Sequence, residues 1–271
     1  MTRAERDSPP TRRDAAPSHT EPRGLVGYAE ISRRPLHILI FLLPIIIAYE
    51  IGSLLYLRDA SGIEMQTIRA RRLLAIFFET FGVGGLHVPA IVILVVFFLW
   101  HLMKRDRWRV HWRVIGGMGA ESIAWTAPLL VLALLVFALP GSSANGAALA
   151  ATNGLVEASW QVRLTISLGA GLYEELLFRL LAITMLHLLL VDVLKLSDRM
   201  GKILAVGISA LAFALYHDLH LRMPFDQAPE FFFYLATGVY LGIIFLMRGF
   251  GIVVAVHALY DIVVLLSPSS G

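Results

Sequence analysis

Seven apolar segments, at residues 37–57, 87–103, 122–139, 161–193, 203–219, 230–247 and 250–267, divide the chain. Most approach the ~20 residues that a helix needs to cross the hydrocarbon core of a bilayer. They predict helices, because a closed barrel would show ~10-residue strands of alternating polarity, and none are seen. Between the first two segments, Ile68, Leu73, Leu74, Phe77, Phe78 and Phe81 fall on one broad face of a helical pattern, while Arg69, Arg71 and Arg72 gather elsewhere. That suits an interfacial helix or a short eighth span. Residues 1–35 are polar, rich in Pro and Arg, and without apolar period, so they read as a mobile cytoplasmic tail with no cleavable signal peptide. The fold predicted is all-α: a polytopic membrane helical bundle of about seven to eight transmembrane helices. Its organisation is a disordered tail at 1–35, transmembrane helices plus the interfacial helix at 36–140, and a helical core at 160–267.

Composition agrees with this pattern. Of the 271 residues, 57% are hydrophobic and 16% charged, against roughly 45–50% and about 25% in soluble domains. The absence of cysteine excludes disulfide scaffolds, thiolate nucleophiles and Cys-based metal sites. The net charge of +3 need not mean nucleic acid, because the basic residues sort by topology. Sixteen Lys and Arg lie in the tail, in 104–113, in 195–202 and at Arg248, against six in the alternate connections. The positive-inside rule then puts the N-terminus in the cytoplasm and, with seven spans, the C-terminus outside. The chain is expected to be a multi-pass integral protein of a bacterial cell membrane, with the lipid bilayer as a partner and no nucleic acid.

Away from the segment edges only Glu50, Glu174, Glu175, Arg179 and Asp261 carry formal charge inside the apolar segments. Each costs ~2.5–3.5 kcal/mol at a helix centre on insertion scales, so unpaired charges there need a reason. Glu174, Glu175 and Arg179 form an E-E-x-x-x-R pattern. At 3.6 residues per turn, Glu175 and Arg179 share a face and can pair, whereas Glu174 points away from both. The face of Glu174 runs through Ser167, Ala170 and Gly171, small residues that leave room for a cavity or a closely packed neighbour. Two later segments supply polar partners at i,i+4: Phe213 with His217, and His257 with Asp261. One Glu, two His and one Asp on three helices can converge on water, with Glu as general base and His as donor or second base.

These residues, E-E-x-x-x-R, then F-x-x-x-H, then H-x-x-x-D, in order on successive membrane segments, resemble the CPBP family of intramembrane peptidases, also called the Abi or CAAX-protease family. The resemblance covers about residues 160–267, and it implies a four-helix catalytic core that hydrolyses a peptide bond of a membrane-embedded or lipid-anchored protein or peptide. It further implies that Glu174 activates water with the help of His217, that His257 and Asp261 stabilise the oxyanion, and that Glu175 and Arg179 brace the helix, with Phe213 packed beside the site. The family often has Asn where this chain has Asp261. An ionised Asp cannot donate to an oxyanion, so Asp261 is either protonated, orients His257, or helps to hold a cation. The resemblance leaves open a divalent metal such as zinc, for which Glu174, His217 and His257 are the candidate ligands, a set with an open position for water.

Other readings of the same residues are a non-catalytic membrane scaffold or immunity-like protein, and an ion-coupled transporter built on buried carboxylates. Glu50 reads as a structural hydrogen-bond partner rather than a substrate-facing group, and His220 as a loop histidine. Glu174, His217 and Asp261 all lie toward the loops assigned outside.

Overall fold

A computed structural model describes residues 25–57, 68–85, 87–137, 155, 158–217 and 228–267. Its elements are α1 (Leu25–Ser32), α2 (Pro35–Tyr56), α3 (Arg69–Thr80), α4 (Val88–Lys104), α5 (Trp112–Phe137), α6 (Trp160–Val193), α7 (Asp198–Tyr216), α8 (Ala228–Arg248) and α9 (Phe250–Leu266). The described residues are helical, and α2, α5, α6, α7 and α8 are long and apolar enough to cross a membrane. The apolar helices α4 and α9, of 17 residues each, stand at the lower limit of spanning length. The fold is a polytopic helical membrane bundle. Helix α3 has 12 residues, too few to cross, so the segment between α2 and α4 is not an eighth span.

Local chemistry sets several helix ends. Pro35 opens α2, where its missing N–H would have had no partner. Ser159 and Ser197 cap α6 and α7 by accepting from the N–H groups of Val162 and Met200, both at 3.4 Å. A single residue, Gly249, joins α8 to α9 at φ +86°, a left-handed conformation that a side chain would strain. The tail boundary differs from the sequence expectation. Residues 25–32, placed in the tail, form α1, which is held by the Tyr28 hydroxyl donating to Glu121 of α5 at 2.6 Å. Residues 1–24 lie outside the described residues.

Helix α9 is the centre of the bundle. Phe250 to Ala258 and Tyr260 are buried, because residues 250–256 are apolar on every side and α6, α5, α8 and α2 pack around the helix. Its approach to α6 is close: a Cβ on Gly171 would meet the backbone nitrogen of Ala258 at 2.7 Å. The stripe of small residues on α6 therefore admits a neighbouring helix. Outward-facing side chains such as Ile47, Leu54, Val95, Leu99 and Leu134 are exposed and meet lipid.

Contacts between helix ends confirm an alternating path. The start of α5 meets the start of α2, where the His111 N–H donates to His37 Nε2 at 3.2 Å. The end of α8 reaches α1, where Arg248 donates to Ser32 Oγ at 3.1 Å. On the other side, Arg163 near the start of α6 donates to the Leu265 carbonyl at the end of α9, at 3.3 Å. The ends of α2, α7 and α9 and the starts of α3, α6 and α8 thus share one side of the bundle.

Helix α3 packs against the bundle in an unexpected orientation. Leu73, Ile76, Phe77 and Phe81 face outward, whereas Arg71 is fully buried against the bundle. Of the three arginines gathered away from that face, Arg71 points inward because Glu50 and Tyr49 lie there: it stands 3.8 Å from the Glu50 carboxylate and over the Tyr49 ring, whereas Arg69 and Arg72 are exposed.

Candidate active site

Helix α6 carries Glu174, Glu175 and Arg179 at a change of backbone. The α-helical stretch Trp160–Glu175 passes into a π-helical stretch at Leu176–Ile183, a departure that recurs at functional sites in proteins. Glu175 and Arg179 form a buried ion pair at 2.9 Å. The Arg179 guanidinium also lies 4.3 Å over the Phe213 ring and reaches the Gly238 carbonyl at 3.5 Å, tying α6 to α7 and α8.

Glu175 does more than pair with Arg179. The same Oε1 lies 2.6 Å from His257 Nδ1 and accepts that proton, which fixes the ring of α9 against α6. The other ring nitrogen of His257, Nε2, lies 3.5 Å from Asp261 Oδ2 and 4.0 Å from Glu174 Oε2. His257 is thus held between two carboxylates and turned toward a third.

His217 ends α7. Its Nδ1 lies 2.9 Å from the Phe213 carbonyl, which can only accept, so Nδ1 carries the proton and Nε2 faces Glu174 Oε2 at 3.7 Å. The ring stacks on Tyr234 of α8 with centroids 4.0 Å apart and an 18° tilt, and it packs edge-on against Phe213. His220 lies outside the described residues.

These contacts converge on Glu174, which is 7% exposed. One carboxylate oxygen, Oε1, accepts from the Tyr216 hydroxyl at 3.3 Å. The other, Oε2, has no hydrogen-bond partner and lies between the Nε2 atoms of His217 and His257. Both separations exceed a direct hydrogen bond and match the span of a bridging water. Such a water would touch a base and two imidazoles on three helices.

The candidate ligands of a metal are the same three side chains. Two imidazole nitrogens and a carboxylate are chemically suited to zinc. Among the described residues, however, no group of three or more His, Asp or Glu side chains has metal-holding geometry.

The structure brings together Glu174, His217, His257 and Asp261, with Glu175, Arg179 and Phe213 as support. Sequence reasoning missed Tyr216 and Tyr234, because a tyrosine in an apolar helix carries no signal of its own. The link from Glu175 to His257 was equally hidden, since it joins residues 82 positions apart. Glu50 lies behind the site rather than in it. It accepts from the Tyr173 hydroxyl at 2.8 Å and contacts His87 and Arg71, which fits its reading as a structural partner.

Every element of this constellation lies in α6 to α9, and that part of the chain is the part with known likeness. Residues 156–263 match the family model described as type II CAAX prenyl endopeptidase Rce1-like. Comparison with curated proteins and with solved structures gives no match. Residues 156–263, which carry all of the site's motifs, are thus similar to the CAAX-type membrane proteases that this model describes.

Proposed function

We propose that this protein is an intramembrane endopeptidase of the glutamate type, which hydrolyses a peptide bond of a membrane-embedded or lipid-anchored protein or peptide. The observation that carries this reading is the buried Glu174 Oε2, without a hydrogen-bond partner and flanked by His217 Nε2 and His257 Nε2 at 3.7 and 4.0 Å. An unpartnered carboxylate oxygen is costly away from water, and this one, unlike the Oε2 of Glu175, is flanked by the Nε2 atoms of two histidines.

The chemistry follows from the positions. Glu174 Oε2 takes a proton from water, and the hydroxide adds to the scissile carbonyl carbon. The Nε2 of His217, kept as an acceptor by the bond from Nδ1 to the Phe213 carbonyl, steadies the water from the opposite side. Negative charge grows on the carbonyl oxygen, and His257, when it carries both protons, donates to it through Nε2; one such donor is worth a factor of ~10²–10³ in rate. Asp261 acts by steering His257 from 3.5 Å, which suits an acceptor-only carboxylate. As the C–N bond breaks, the proton on Glu174 passes to the leaving nitrogen.

The test compares wild-type protein with Glu174→Gln and His217→Ala, expressed to equal levels in a host lacking its own copy. New protein termini in the membrane fraction are mapped by mass spectrometry. Termini present with wild type and absent with both variants are expected; identical sets of termini would overturn the proposal.

A further inference from the structure

Only one oxygen of Glu174 faces the two histidines. Two helix ends meet at the other one. At the start of α3, the first N–H groups have no acceptor within their own helix. The N–H of Ala70, the second residue of α3, donates to the Tyr216 hydroxyl oxygen at 2.9 Å. At the end of α7, the last carbonyls have no donor within that helix. The carbonyl of Tyr216 accepts from Arg69 at 2.9 Å, and the same guanidinium lies 5.5 Å from the Tyr216 ring centroid. A positive group at a helix C-terminus also suits the helix dipole.

The consequence falls on a single proton. With its oxygen engaged by the Ala70 N–H, the Tyr216 hydroxyl directs its hydrogen to Glu174 Oε1 at 3.3 Å. The ring cannot swing freely, because Phe178 of α6 packs edge-on against it at 5.2 Å and His217 at 5.1 Å. Glu174 is left with one oxygen occupied and the other turned to the two histidines.

We propose that Tyr216 is a positioning residue for Glu174 and that the first turn of helix α3 sets the direction of its hydroxyl, so that docking of α3 orients the catalytic carboxylate. This rests on the reading of Glu174 as the base. It gives the part of the chain outside the family match a role in the reaction, since Arg69 and Ala70 precede the matched residues 156–263.

Two measurements on the full-length protein in lipid nanodiscs test it. The infrared difference between wild type and Glu174→Gln isolates the carboxyl bands of Glu174. The same difference taken in a Tyr216→Phe background is displaced if the hydroxyl touches Glu174; superimposable bands overturn the proposal, and this readout needs no substrate. On the termini that depend on Glu174, Tyr216→Phe lowers kcat about tenfold with KM nearly unchanged, the scale of one hydrogen bond to a charged group. Arg69→Gln keeps the tyrosine, loosens its anchor, and gives a smaller loss and a smaller band shift; it serves if Tyr216→Phe does not fold. If Glu174→Gln leaves the termini unchanged, the peptidase reading falls while the bands still decide the contact. If Glu174→Gln abolishes cleavage and Tyr216→Phe changes neither rate nor bands, only the role of Tyr216 falls.

Discussion

Glu121 and Glu174 are both carboxylates set among membrane helices, and their surroundings are opposite. Glu121 of α5 accepts from the Tyr28 hydroxyl at 2.6 Å, from Trp125 Nε1 at 3.1 Å and from Arg248 NH2 at 2.8 Å, with a further close contact to Arg248 Nε. Both of its oxygens are used, and its charge is matched by a guanidinium. Glu174 has one long bond from Tyr216, and its second oxygen has none. Its cationic neighbour Arg179 is committed to Glu175. The first arrangement ties α1, α5 and α8 together and asks for nothing more. The second leaves a carboxylate oxygen turned toward two imidazoles. A buried polar group without its hydrogen bonds is costly, so it persists where function requires it.

Substitutions break this comparison in graded ways. The largest effect is expected for Glu174→Gln, which keeps the shape and removes the base: cleavage falls by a factor of ~10²–10⁴. Its melting temperature in detergent should stay near that of wild type, and a large drop in stability would assign Glu174 a structural role like that of Glu121. Arg179→Ala comes next. It leaves the carboxylate of Glu175 buried without its cation, a loss of ~3–5 kcal/mol, read as a lowered melting temperature and a reduced yield of inserted protein. Because Glu175 also holds His257, the protein that does fold should cleave slowly.

Glu121→Gln should cost ~1–3 kcal/mol through the weakened contact to Arg248, with the rate per folded molecule unchanged. A change in rate without loss of stability would show that the α1–α5–α8 cluster communicates with the site. The smallest effect is expected for Asp261→Asn. If Asp261 acts by steering His257, cleavage should stay within about tenfold of wild type, a difference of under ~1.4 kcal/mol. A loss of more than a hundredfold, measured on the same termini, would mean that the negative charge itself is needed.

Much of the architecture was legible from the chain alone. A run of apolar residues long enough for the bilayer has to be a helix there, since each backbone N–H and C=O must be satisfied within the segment. That constraint placed α2, α4, α6, α8 and α9 within a few residues of their observed positions, whereas α7 begins five residues and α5 ten residues before the expected segments. Glu174, Glu175 and Arg179 stood out for a related reason: charge is so costly in hydrocarbon that each instance is conspicuous. The pairing of Glu175 with Arg179 followed from helical spacing, as did the shared faces of Phe213 with His217 and of His257 with Asp261.

Contacts between helices could not be read in this way. That Arg71 turns inward and Phe77 outward on α3 depends on Glu50 and Tyr49 being adjacent, and periodicity reports only that two faces differ. The role of Gly171 appeared when the backbone of Ala258 was found against it. Tyr216 is one of eight tyrosines, and its bond to Ala70 spans 146 positions of sequence.

The sequence by itself determined that this chain is a bundle of membrane helices and which side chains are too costly to be idle, because both depend on local transfer free energies that each segment carries with it. Only the tertiary structure decided which oxygen of Glu174 is free, which nitrogen of each histidine faces it and which helix end holds Tyr216. Those are properties of distances between segments, set by packing around α9, and no single segment contains them.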